Sequence, residues 1–194
     1  MPKRAHRWNV FNKMEEFPVP PVGMVLIANA EKGSPFERTV VVLIHRRDTC
    51  ATGLIINQPL HLMLSDFENS PHAASDNIPV YRGGPVQPNR LIVTGMELDA
   101  DRHRLHWQFD LDMHRLAQCV DEHPKMSFKA YRGYVTWEDD QLIDEMKNKR
   151  WLPTPYPFKP VFASDRPRLW ETLMLQFYPF APNVPYVPEN PGRN

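Results

Sequence analysis

Only two of the 194 residues are cysteine, Cys50 and Cys119. Two thiols cannot build a dense disulfide framework, and a reducing, cytoplasmic setting fits such a chain. Neither charge is in surplus: Lys plus Arg and Asp plus Glu both number 23, so the formal net charge is zero. That disfavours a nucleic-acid binder relying on a strong overall positive field, and leaves room only for a local basic patch. No apolar run approaches the ~18 residues of a membrane span. Residues 1–22 are basic, aromatic and interrupted by proline, with no signal-peptide core.

The motifs of common chemistries are missing as well. Neither GxGxxG nor GxxxxGK[ST] occurs, so no familiar phosphate loop is present. GxSxG is absent, and with it a nucleophile elbow. CxxC is absent, which argues against a zinc ribbon or a thioredoxin-type redox pair. His103 and His106 have metal-like spacing, with Asp99, Asp101 and Asp110 near, but they lie in a very polar turn without a cysteine and read as surface residues. His45 and Cys50 stand at the two ends of one turn, where a nucleophilic pair could form. Cys50 abuts an apolar strand, however, and reads as a small inert hydrophobe. No helix-turn-helix, zinc finger or stacked-aromatic RNA motif accompanies the basic runs Lys3–Arg4–Arg7 and Lys147–Lys149–Arg150, so direct nucleic-acid binding is not expected. The expectation is a chain with no catalytic residues, no metal and no cofactor.

Proline is abundant instead, at 21 residues, much of it near the two ends. The length suits one domain with an extension at each end: an extended arm over 1–21, a domain over 22–177 and a proline-repeat arm over 178–194. In the front arm Trp8, Phe11 and Phe17 supply apolar surface for docking on the domain or a partner. In the rear arm Pro179, Pro182, Pro185, Pro188 and Pro191 recur every third residue. Polyproline II also has three residues per turn, so these prolines would line one edge of an extended rod. Tyr178, Phe180 and Tyr186 add aromatic contacts, and the pattern suits binding to a neighbouring subunit or another protein.

Between the arms the pattern is mixed. Met24–Ala28, Thr39–Ile44 and Ala51–Ile56 read as strands, the last two as an antiparallel pair apolar on both faces. Leu60–Phe67 reads as a short helix. Ile78–Tyr81 and Arg90–Val93 read as strands flanking a GGPVQPN turn, and Leu105–Phe109 alternates as a half-buried strand. Leu111–Asp121 is an amphipathic helix with Asp110 as its cap. Met126–Tyr134 is strand-like. A helix then starts at Thr136 or Trp137, where Thr136-x-x-Asp139 resembles a capping box, and ends near Lys147. Trp151–Pro160 is proline- and aromatic-rich, and Val161–Ala163 reads as a short apolar piece. Asp165 and Pro167 open a last helix with the stripe Trp170, Leu173, Met174, Phe177.

The strongest ligand-site candidate is the set Asn57, Arg82, Gly83 and Gly84. Amides around consecutive glycines can hold an anion, and Arg82 can add a bidentate contact. The simpler reading is that the glycines permit a tight turn and Asn57 caps a strand end. Trp137 with Gln141, one helical turn apart, could stack on a ligand, or Trp137 could plug the core.

These corners carry a resemblance. Thr39–Leu43 followed by GLIINQP at Gly53–Pro59, then VYRGGPV at Val80–Val86, Gly133–Tyr134 with Trp137, Gln141–Leu142 with Glu145, and Trp151–Leu152 resemble the bacterial YqgE/AlgH family, also called UPF0301. Phe162 and Trp170 fit its closing segment. The resemblance spans roughly Val22 to Phe177. It implies an α/β (α+β) fold: a mixed, largely antiparallel sheet with a small closed barrel-like portion, an adjoining branch and surrounding helices. It also implies a regulator, since one branch is described as a transcriptional regulator of alginate production, and it brings no catalytic residues or cofactor. The family's GYAGW-like stretch, which continues with glycine and proline, is here Gly133–Tyr134–Val135–Thr136–Trp137 followed by Glu138, Asp139 and Asp140. The expected function is a non-enzymatic regulatory or adaptor protein working through protein contacts, with a small-molecule or anion site near Asn57, Arg82–Gly84 and Trp137 as the alternative.

Overall fold

Val40, Val41, Val42 and Leu43 are all buried, and they form the first half of a strand, β2 (Val40–Arg47), that has packed layers on both faces. β-Branched residues suit such a position because their stiff side chains pack well on a pleated surface. β2 pairs antiparallel with β1 (Val25–Ala28) and with β3 (Cys50–Ile55), with a register shift between Leu43 and His45. The computed structural model describes residues 20–47, 49–67, 76–99, 104–154 and 168–179.

Among these residues nine strands join in one sheet. Beyond β3 come β4 (Pro59–Met63), β5 (Pro79–Arg82), β6 (Val86–Asp99), β7 (Arg104–Gln108), β8 (Ser127–Glu138) and β9 (Trp151–Thr154). The neighbours run β4-β5-β8-β3-β2-β1-β9, with β6 and β7 branching from β8. All of these neighbours pair antiparallel except β5 with β8. The mixed, largely antiparallel sheet is therefore present, but the expected barrel is not. β4 and β9 end the path without pairing to each other, so among the described residues the sheet is open. The reason lies in β8. Its first part, Ser127–Tyr134, pairs with β6, and Ala130–Arg132 also pair with β5. Its last part, Val135–Glu138, passes to β3. One long strand thus serves two half-sheets instead of closing one.

Among the described residues three helices cover the sheet: α1 (Met113–Glu122), α2 (Asp139–Lys147) and α3 (Leu169–Phe177). Alternation along β1 and β2 sends Val25, Ile27, Val40 and Val42 to one face, where α3 adds Leu169, Trp170, Leu173 and Met174. Leu26, Val41 and Leu43 go to the other face, with Trp137, Trp151 and Leu142 and Met146 of α2. A third cluster joins Val80, Val93 and Ala130 to Leu116 of α1. The stripe expected on the last helix is correct. Its expected opening at Asp165 and Pro167, and the piece Val161–Ala163, lie outside the described residues.

Several local readings change. Pro59–Met63 is an edge strand, not a helix; only Leu64–Asp66 makes a single 3-10 turn. The GGPVQPN segment is no plain turn, because β6 already begins at Val86 and absorbs Gln87–Arg90 in a register shift. The proline- and aromatic-rich segment opens with a strand, Trp151–Thr154. The helix expected from Thr136 starts at Asp139, since Thr136 and Trp137 remain paired to Thr52 and Ala51 in β8. At α1 the cap is Asp112, whose carboxylate accepts from the Arg115 amide at 2.8 Å, not Asp110.

Candidate functional site

The two glycine-marked corners meet. The Ile55 amide at the end of β3 donates to the Gly83 carbonyl at 2.8 Å. The amides of Gly83 and Gly84 both donate to the Arg132 carbonyl in β8, at 2.7 and 3.3 Å. A Cβ on Gly83 would overlap the Gly133 carbonyl oxygen, and one on Gly84 would overlap the Tyr134 backbone. Gly133 itself has φ +68°, and a Cβ there would overlap the Gly84 carbonyl oxygen. The three glycines therefore let two backbones cross in direct contact where β8 passes from one half-sheet to the other. Both amides of the glycine pair are engaged inside the protein and do not form a solvent-facing anion nest.

Asn57 is buried, 6% exposed, just past β3. Its Oδ1 accepts from the Val40 amide and its Nδ2 donates to the Arg38 carbonyl, each at 2.8 Å. The amide side chain thus replaces ladder partners that the turning chain cannot supply. Arg82 is exposed beside this corner, and its amide donates to the Gln58 carbonyl at 2.8 Å. The neighbouring Arg132 guanidinium binds the Pro88 carbonyl and Asn89 Oδ1, both at 3.0 Å, and lies 5.2 Å from the Phe67 ring centre.

Trp137 and Gln141 belong to a separate arrangement centred on Glu145 of α2. The indole N–H groups of Trp137 and Trp151 donate to the same carboxylate oxygen, at 3.1 and 2.8 Å. Gln141 Nε2 donates to the other oxygen at 3.0 Å. The two indoles meet edge-on with centres 5.4 Å apart, and Phe36 packs on Trp151 at 5.6 Å. Trp137 is 4% and Trp151 3% exposed. The acidic departure after Trp137 also finds a setting here: Glu138 is the N-cap of α2 and Asp140 lies in its first turn, where negative charge faces the positive end of the helix dipole.

An open cleft of about 780 Å³ runs along this edge, lined by Thr49, Cys50, Thr136, Trp137, Glu138, Asp140 and Gln141. Cys50 Sγ lies 3.0 Å from Thr136 Oγ1. In register Cys50 faces Arg47 while His45 faces Thr52, so the strand pairing does not set His45 opposite Cys50. Asn57, Arg82, Gly83 and Gly84 do not line this cleft. The structure brings the corner residues together with one another and Trp137 together with Gln141, but it sets the two groups in different places. Among the described residues no group of three or more His, Cys, Asp or Glu side chains is arranged to hold a metal ion. His103 lies outside the described residues, and His106 is exposed.

Of the arm residues, Trp8, Phe11, Phe17, Phe180, Pro182, Pro185, Tyr186 and Pro188 lie outside the described residues. Tyr178 lies inside them and packs against the α3-side core. Its hydroxyl donates to the Pro153 carbonyl of β9 at 2.5 Å. Burial pushes the hydroxyl pKa well above the usual tyrosine range. Tyr131 moves the same way, first through burial and then through the nearby Tyr81.

Glu145 and Trp151 are the members that site reasoning from the sequence passed over. The Gln141–Glu145 spacing of four residues was a visible signal for one contact. Nothing local could show that two tryptophans fourteen positions apart share one carboxylate.

Comparison with known proteins agrees with the motif spacing. Residues 25–178 match the model of the AlgH-like family. A UPF0301 protein of Legionella pneumophila strain Corby is 33% identical over 159 residues, covering 76% of this chain and 84% of its own. One from Parabacteroides distasonis is 28% identical over 171 residues, covering 84% and 86%. The solution structure of the AlgH protein of Pseudomonas aeruginosa superimposes with a TM-score of 0.57 at 23% identity, covering 79% of this chain and 86% of that one. A crystal structure from Corynebacterium diphtheriae gives 0.56 at 20% identity, covering 81% and 87%. Likeness at that identity speaks for the fold alone.

Proposed function

The chain belongs to the AlgH-like family, and on that footing we propose that it is a non-enzymatic regulatory or adaptor protein acting through protein contacts. One observation carries the proposal: the residues most like a ligand site are occupied inside the fold. The Gly83 and Gly84 amides are bound to Arg132, the Asn57 side chain to Arg38 and Val40, and Trp137 and Gln141 to Glu145. Groups that already hold intramolecular partners gain little from a ligand, because each new bond must replace an existing one. Recognition then falls to the two aromatic- and proline-bearing arms, 1–21 and 178–194, which would join the domain to a partner in a larger assembly. A cytoplasmic setting, which the sparse cysteines suit, and a part in transcriptional control, which the family resemblance implies, belong to the same proposal. No described helix is long and apolar enough to cross a membrane.

The test is capture from native extract with the full chain and with a chain ending before Phe180. A partner held by the first and lost by the second is expected. If both run alone and alike, the adaptor role is wrong.

The second reading is a small-molecule or anion sensor or enzyme, and the cleft beside Trp137 and Gln141 favours it. It requires ligand-dependent rises in melting temperature in a broad metabolite and nucleotide screen. A screen without shifts removes it.

A further inference from the structure

We propose that the side chains of Arg82 and Arg132 form a binding site for a phosphate group, free or as a monoester. β5 and β8 run parallel, and their register sets Arg82 directly opposite Arg132. Paired residues on neighbouring strands, ~4.8 Å apart, send their side chains to the same face. Two positive charges therefore stand side by side, an arrangement that by itself destabilises a sheet. On its other side Arg132 is paired with Leu91, which brings no charge. Among the described residues neither guanidinium forms an ion pair with a carboxylate, whereas Arg38 is paired with Glu171 and Arg90 with Asp110. A bound anion would offset the repulsion between the two arginines.

The two side chains differ in a way that suits binding. Arg132 is half-buried and fixed: its Nε donates to the Pro88 carbonyl, its Nη2 to Asn89 Oδ1, and the Phe67 ring packs against it. The guanidinium is thereby held in place with both Nη1 hydrogens unused. Arg82 is exposed, and among the described residues its guanidinium has no hydrogen-bond or ion-pair partner. Closing one fixed fork and one free fork on an anion orders only one side chain. A carboxylate satisfies a single fork. A phosphate monoester brings a further oxygen and a charge of about −1.5 to −2 at neutral pH, enough to engage both. The glycine amides beside Arg82 are already engaged by the Arg132 carbonyl, so the side chains and not the backbone would hold the anion. The site uses neither the arms nor the lining of the cleft beside Trp137, and so goes beyond both readings above.

The experiment uses the full chain at neutral pH and constant ionic strength. Inorganic phosphate, glycerol 3-phosphate and acetate are titrated separately while the arginine Nε–H and backbone amide NMR signals are followed. Saturable shifts at Arg82, Asn89 and Arg132 are expected with the phosphates, and the tighter of the two names the source of the group. Acetate should bind at least about tenfold more weakly, since it forgoes a charge-assisted contact. Arg82→Gln should weaken phosphate binding about tenfold or more for the same reason, and should melt no lower than the unaltered chain. Arg150→Gln removes an exposed positive charge beyond the end of α2 and should leave the affinity within about twofold, because distant charges are screened. Shifts that rise without saturation, acetate binding as tightly as phosphate, or equal effects of the two substitutions would overturn the proposal and leave both earlier readings standing. Saturable shifts confined to Cys50, Thr136 and Gln141 would overturn it in favour of the cleft.

Discussion

The Trp151 indole N–H donates to the Glu145 carboxylate at 2.8 Å, and so ties the outermost strand β9 to helix α2. Trp137 reaches the same oxygen from β8. Glu145→Ala would strand two buried indole donors at once. It should lower unfolding free energy by about 2–4 kcal/mol, about 1–2 for each donor left unpaired. Glu145→Gln keeps an acceptor oxygen and should cost less than half as much. Urea titration followed by tryptophan fluorescence separates the two. Equal losses would mean that the carboxylate's charge, rather than its acceptor role, matters.

The glycine crossing makes a contrast available. Gly133→Ala would place a methyl against the Gly84 carbonyl oxygen at a positive φ, and should cost more than about 4 kcal/mol or prevent folding. Gly33 has a similar φ, +86°, but open space around it, so Gly33→Ala should cost only about 1–2 kcal/mol. Comparable melting temperatures for the two variants would contradict the close backbone crossing.

Asn57 both donates and accepts, and its replacement should show the difference. Asn57→Ala should lose about 1–3 kcal/mol. In Asn57→Asp an ionised carboxylate would face the Arg38 carbonyl, so burial and repulsion would raise its folded-state pKa above the unfolded value. The penalty should then be small below the ordinary aspartate range of about 4 and should grow as pH rises toward 7. A variant equally destabilised at both ends of that range would argue against the buried two-way bridge.

Tyr178 gives an alkaline signature. Its hydroxyl stays protonated in the fold well past the ordinary value near 10, so the unfolded chain releases that proton first. Stability is fully present below about pH 10 and falls above it, by about 1.4 kcal/mol per pH unit for each such tyrosine. Tyr178→Phe should remove one tyrosine's share of that slope. An unchanged alkaline limb would place the hydroxyl in solvent.

Much of this fold could be read from residue patterns, and the failures have physical causes. Val40–Leu43 and the run into Asn57 announced central strands, because β-branched residues without polar alternation fit only a doubly covered position. Pro59, Pro88 and Pro153 misled, since proline reads as a breaker. Pro59 and Pro153 sit in the strands that end the sheet path, and Pro88 sits within a register shift; at such places a missing N–H costs little. Thr136 looked like a helix cap, but pairing with Thr52 outweighed that local preference. The glycine corners were legible as tight places. Which backbone they admitted was not, since Gly83 and Gly133 lie fifty residues apart and only the sheet brings them together.

If recognition resides in the arms, as proposed, and the corners and the Glu145 cluster are architecture, the cleft can be filled without loss of the partner. The most direct test measures affinity for the captured partner in two altered chains: Thr49→Trp, which fills the cleft beside Trp137, and the chain ending before Phe180. Unchanged affinity is expected for the first and loss of binding for the second. Loss of binding on filling the cleft, with full affinity in the shortened chain, would contradict that proposal.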